Sequence, residues 1–87
     1  MKKLPGDQQV KFLEELIATL VRALVEHEDR VQVACASTPA RVVFTVYVHH
    51  DDMGLVIGEG GKTGDALRRI VWTAAKKTDR RVDIDFV

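Results

Sequence analysis

Apolar positions recur at helical spacing at the start of the chain: Val10, Leu13, Leu16, Ile17, Leu20, Val21 and Leu24 form one broad stripe. Glu14, Glu15, Arg22 and Glu26 lie away from it. This pattern predicts a helix over residues 8–27, capped by Asp7 and preceded by a short polar tail, residues 1–7, that closes at Pro5-Gly6. The period then changes to two. Val31, Val33 and Cys35 alternate with Gln32, Ala34 and Ala36, and Val42, Phe44, Val46 and Val48 alternate with Val43, Thr45, Tyr47 and His49. The turn cluster Ser37-Thr38-Pro39-Ala40 separates these runs, so an antiparallel hairpin is expected.

Asp51-Asp52 is a helix-start signal for one or two turns over Met53 to Ile57, which glycines then end. Ala66, Leu67, Ile70, Val71 and Ala74 predict a further helix over 62–77, with Lys76-Lys77 at the negative end of its dipole. Val82, Ile84 and Phe86 alternate with Arg81, Asp83 and Asp85 in a last, half-buried strand. The order is α-β-β-α-α-β, a single α+β domain over residues 8–87. A helical crossover joins the second and third strands and favours their parallel pairing. The expected architecture is a three-stranded mixed sheet with the helices packed on one face.

Composition narrows the function classes. At 87 residues and 46% hydrophobic, the chain has room for one core and no separate catalytic domain. Its formal net charge is zero. Lys62, Arg68, Arg69, Lys76, Lys77, Arg80 and Arg81 nevertheless gather in one segment against Asp65 and Asp79. One basic element on a neutral protein fits modest, salt-sensitive phosphate binding better than a wide DNA footprint; it serves equally as a solvated helix face. The only cysteine, Cys35, allows no internal disulfide and suits a reducing compartment. No run approaches the ~20 apolar residues of a membrane span, so a cytoplasmic protein without membrane insertion is expected.

The informative segment is Val56-Ile57-Gly58-Glu59-Gly60-Gly61-Lys62-Thr63. Glycines between two helices permit a sharp turn and let another chain approach closely. The leading amides of the following helix carry partial positive charge, and Lys62 adds a full one. A nucleotide-binding P-loop, G-x-x-x-x-G-K-[ST], matches only at Gly61-Lys62-Thr63: Val56 occupies the place of its first glycine, and a helix, not a strand, precedes it.

The stretch from Asp52 to Lys62 resembles the V-I-G-x-x-G core of KH domains, with its short preceding helix, and the element order matches the type II arrangement. Over roughly residues 10–87 the chain is similar to the bacterial KhpA family. That resemblance implies sequence-tolerant binding of single-stranded RNA. Gly58, Glu59, Gly60 and Gly61 would hold the backbone, with Lys62 and Thr63 beside them. Val56 and Ile57 would line an apolar groove for bases, the alternative for each being plain core and at least one of them being expected there. Arg68 or Arg69 would contact backbone beyond it, the alternative being that both are solvated. It also implies a dimer, partnership with a second KH protein of the KhpB or Jag type, and an RNA chaperone or regulatory role. Two positions depart from the pattern. Glu59 stands where KH loops commonly carry a basic residue, which favours the alternative of a KH-shaped protein-interaction module with weak RNA affinity. Gly64 replaces an apolar residue and suggests close packing at the helix start.

Trp72 projects with Asp65, Arg68 and Lys76 from the polar side of its helix and is the expected interface residue. His49-His50-Asp51-Asp52 superficially resembles a metal cluster. Adjacent strand residues point to opposite faces, and His27 and Cys35 have no ligand spacing with the group, so neither a metal nor another cofactor is expected. Cys35 reads as a small buried side chain. No nucleophile, base and orienting group stand together, so no enzymatic activity is expected.

Overall fold

The computed structural model describes residues 6–76, 78 and 80–87. The expected tail lies largely outside them, as do Lys77 and Asp79. Helix α1 spans Gly6–Leu24, β1 Gln32–Ser37, β2 Arg41–Tyr47, α2 Met53–Ile57, α3 Lys62–Ala75 and β3 Arg81–Phe86. This is the α-β-β-α-α-β order, with single 3₁₀ turns before β1, before α2 and before α3. Strand order is β1-β2-β3; β1 pairs antiparallel with β2, and β2 parallel with β3, Phe44 standing opposite both Cys35 and Ile84.

The core lies between the sheet and the helices. Leu13, Ile17 and Val21 of α1, Val56 of α2, and Leu67, Val71 and Ala75 of α3 are buried with Val42, Phe44 and Val46 of β2 and Val82 and Ile84 of β3. The burial pattern of β2 alternates as its sequence does, which places all three helices on one sheet face.

Several boundaries and faces differ from the sequence reading. Helix α1 begins at Gly6, so Asp7 stands within it and not before it. It ends at Leu24 because the next turn is diverted: the His27 backbone N–H donates to the Asp52 carboxylate at 2.9 Å and not to a helical carbonyl. On α3 the buried line is Gly64, Leu67, Val71 and Ala75, while Ala66 is exposed and Ile70 is 46% exposed. Gly64 lies on this buried line, and a Cβ there would stand at ordinary packing distance, 3.7 Å, from the backbone of Ile57, so α2 packs against α3 along this face. Cys35, expected to be buried, is exposed. It belongs to the outer strand of the hairpin, which the helices leave uncovered beyond Val33.

Strand β3 forms the other sheet edge. The Arg81 N–H donates to Ala40 and the Val87 N–H to Val46, so the backbone groups of Val82, Ile84 and Phe86 point away from β2. One of them, the Val82 carbonyl, accepts the Trp72 indole N–H at 3.0 Å. A helix side chain thereby occupies part of an otherwise open edge.

Candidate nucleic-acid interface

The site is built on α2, the loop after it and the start of α3. Asp51-Asp52 reads in the sequence as a helix start, yet the Asp52 side chain makes no cap. It is buried at 1% exposure and accepts from both the backbone N–H and Nδ1 of His27, each at 2.9 Å. Burial pushes its pKa up, but the hydrogen bonds from His27 and from the Glu26 backbone outweigh burial and hold the carboxyl below its ordinary value. The cap of the turn before α2 is His49, whose Nδ1 accepts from the Asp51 N–H at 3.1 Å. Thus α2 is pinned at its start by the segment that ends α1.

At its other end α2 stops at Gly58, with φ 77° and ψ 169°, a backbone region closed to side chains. Gly60 (φ 64°, ψ 15°) and Gly61 (φ 81°, ψ 9°) are left-handed as well. The Gly58 N–H still closes α2 onto Gly54 at 2.8 Å, and the Gly61 N–H bonds Gly58 at 3.1 Å, so the turn is tight. Gly61 occupies the cap position of α3, and no side chain caps that helix. The Lys62 N–H donates to the Glu59 carbonyl, so backbone alone closes the start of this helix, and the exposed Lys62 side chain stands beside it. Glu59 and Gly60 are exposed at the tip, while Thr63 packs beneath Gly58.

From the loop a hollow of about 450 Å³ runs between α3 and the end of β3, lined by Ile57, Gly61, Gly64, Asp65, Arg68, Asp85, Phe86 and Val87. The Arg68 guanidinium lies 5.2 Å from the Phe86 ring centroid, and its Nη1 is 3.4 Å from Asp65. One turn on along α3, a second hollow of about 370 Å³ is lined by Trp72, Lys76, Arg80, Arg81 and Asp83 among others. The seam between α3 and β3 is therefore apolar and mixed in charge near the loop, and basic farther away.

Most of the expected site residues share this surface, with two corrections. Val56 is fully buried in the core and lines no groove, because α2 turns it toward the sheet; Ile57, 39% exposed, faces the hollow. Arg69 is exposed on a different side of α3, beside Lys62, Ala66 and Ile70, away from Arg68. Phe86 was absent from the sequence reading of the site. Its alternation marked it only as half buried, and nothing local linked it to Arg68. The spacing argument over His27 is likewise overtaken: its ring stacks on that of His49, with centroids 4.0 Å apart.

A glycine loop joining two helices, carried on a sheet whose flanking strands run parallel, defines the type II KH domain. The family model for the KH domain of KhpA and KhpB matches residues 14–86. The RNA-binding protein KhpA of Halalkalibacterium halodurans is 40% identical over 75 residues, which cover 86% of this chain and 99% of that one. Its counterpart in Streptomyces coelicolor is 42% identical over 78 residues, covering 87% and 99%. That of Bacillus subtilis is 34% identical over 75 residues, covering 86% and 93%. No solved structure matches the chain significantly. The chain belongs to the KhpA/KhpB family of KH-domain proteins.

Proposed function

We propose that the protein binds single-stranded RNA without enzymatic turnover, gripping the backbone at Gly58–Gly61 and laying bases along the α3–β3 seam. The observation that carries this reading is the run of three positive-φ glycines before α3, a backbone surface bare of side chains that adjoins the hollow of Ile57, Arg68 and Phe86. Phosphates meet the glycine backbone and Lys62; bases meet Ile57 and the Arg68–Phe86 pair. The names of the relatives, RNA-binding proteins, support it. Fluorescence anisotropy with short single-stranded RNA tests it. The double substitution Gly60→Asp, Gly61→Asp puts carboxylates on the tip, where a Cβ meets nothing within 4 Å. Both positions have positive φ, so the variant loses stability; at a temperature where circular dichroism shows it still folded, binding should weaken by more than about tenfold. Undiminished binding rejects the site.

In this reading the molecule acts in the cytoplasm as an RNA chaperone or regulator. It pairs with itself, or with a KH protein of the KhpB type, through the flank of α3 on which Trp72 is 49% exposed. Light-scattering mass of Trp72→Glu against the parent checks this surface. Among the described residues no helix is long and apolar enough to cross a membrane. A second reading, a protein-interaction module with slight RNA affinity, is favoured by the acids at the interface: Glu59 on the tip, and Asp65 and Asp85 in the hollow.

A further inference from the structure

Away from the glycine loop, the structure brings the His27 imidazole to a consecutive run of two imidazoles and two carboxylates. His27 follows α1, whereas His49, His50, Asp51 and Asp52 precede α2. The His27 and His49 rings stack at 4.0 Å with planes 13° apart, and His50 stacks on His49 at 4.4 Å. One ligand atom each from His27, His49 and Asp51 lie within 4.8 Å of one another. Three ligands around a zinc ion stand about 3.4 Å apart, so small side-chain rotations would bring these into range.

Two further relationships aim these groups at a cation. The buried Asp52 carboxylate accepts from His27 Nδ1. That bond places the ring proton on Nδ1 and leaves the Nε2 lone pair free, which is how outer carboxylates orient metal-binding histidines. Next to it, His49 Nδ1 faces an Asp51 carboxylate oxygen at 3.7 Å. Since Nδ1 already accepts from the Asp51 N–H, its lone pair and this carboxylate oxygen are two electron-rich groups at close range, while the other carboxylate oxygen meets His50 Nε2 at 3.1 Å. A cation would sit between the first two, exchanging the capping bond for coordination and leaving the His50 contact in place. Stacked rings hold their lone pairs in separate planes, so the rings must tilt to share an ion; His27, with its side chain 40% exposed, has room to do so.

We propose that His27, His49 and Asp51, with His50 alongside, form a binding site for a divalent transition cation of the zinc or nickel kind. Two imidazoles and one carboxylate suit such ions and not magnesium, which prefers oxygen ligands throughout. The ion would tie the end of α1 to the start of α2, the helix that carries the glycine loop.

The test is calorimetric titration of untagged protein carrying Cys35→Ser, which removes the one thiol, with zinc chloride and separately with magnesium chloride. One equivalent of zinc and no magnesium should bind. His49→Ala and Asp51→Ala should each weaken zinc by at least about tenfold, and Asp52→Asn, acting through His27, by about 10- to 100-fold. Asp51, with its side chain 64% exposed, is the deciding position because its removal leaves the core untouched. Absence of saturable zinc uptake by the parent overturns the site, as does uptake unchanged in Asp51→Ala.

Discussion

A Cβ placed on Gly58 would stand 2.8 Å from the backbone nitrogen of Thr63. The start of α3 is thus laid directly against the end of α2, and only a residue without a side chain fits between them. Gly60 and Gly61 are different: both have positive φ, but open space surrounds them. A left-handed alanine costs about 1–2 kcal/mol. Gly58→Ala adds a steric collision to its backbone strain, and should cost about 3 kcal/mol or more. Urea unfolding of the three single alanine variants measures this. Similar losses at all three positions would mean that Thr63 yields freely.

Glu59 sets the charge of the loop tip. An exposed like-charge contact with phosphate is worth about 1 kcal/mol. Replacing Glu59 by Lys removes that repulsion and adds an attraction of similar size, and should therefore tighten single-stranded RNA by at least about fivefold at low salt. It should also steepen the salt dependence, by about 0.7 in the log–log slope for each further phosphate that the new lysine neutralises. Anisotropy titrations across a salt series read both quantities. A substitution without effect would place the RNA backbone away from residue 59.

The Asp52 carboxylate is the tie between the α1 terminus and α2. Asp52→Ala removes the acceptor of two His27 hydrogen bonds and leaves both donors behind. Its Tm should fall by at least roughly 5 °C, while Asp51→Ala, one residue away on the surface, should leave Tm within about 2 °C of the parent. Parallel thermal melts by circular dichroism compare the two.

Cys35 is exposed, yet partial burial, and after it the negative charge of Glu14, raise its thiol pKa above the ordinary value, against the opposing effect of Arg80. A raised pKa means less thiolate at a given pH, so alkylation at pH 8 should be slower than for a free cysteine. Glu14→Gln removes one cause and should speed the reaction. Iodoacetamide labelling followed by mass spectrometry gives the rates.

What the sequence disclosed and withheld has a physical pattern. Alternation in β2 identified Val42, Phe44 and Val46 as the sheet's buried face, and the glycines bounded α2 correctly at Ile57. Local periodicity carries such information because it depends on neighbours one or two turns away. The α3 face was misjudged around Ile70 because α2 packs on α3 along the line of Gly64 and Leu67, a contact between two helices that periodicity within α3 alone does not reveal. Val56 was a groove candidate by motif and a core residue by packing, a distinction that only the orientation of α2 settles. The long-range pairs stayed hidden altogether: His27 with Asp52, and Arg68 with Phe86, are side-chain meetings between segments distant in sequence.

Trp72, the one tryptophan of the chain, has its indole N–H on the Val82 carbonyl and its ring half in water, one turn along the seam from Arg68. The molecule therefore carries a built-in optical probe, a single indole that can be excited apart from Tyr47. A nucleotide settling along α3 and β3, or a second subunit covering α3, would each alter the polarity around that ring. The two events separate without any label, because quenching by a ligand follows ligand concentration, whereas a shift caused by association follows the concentration of the protein itself.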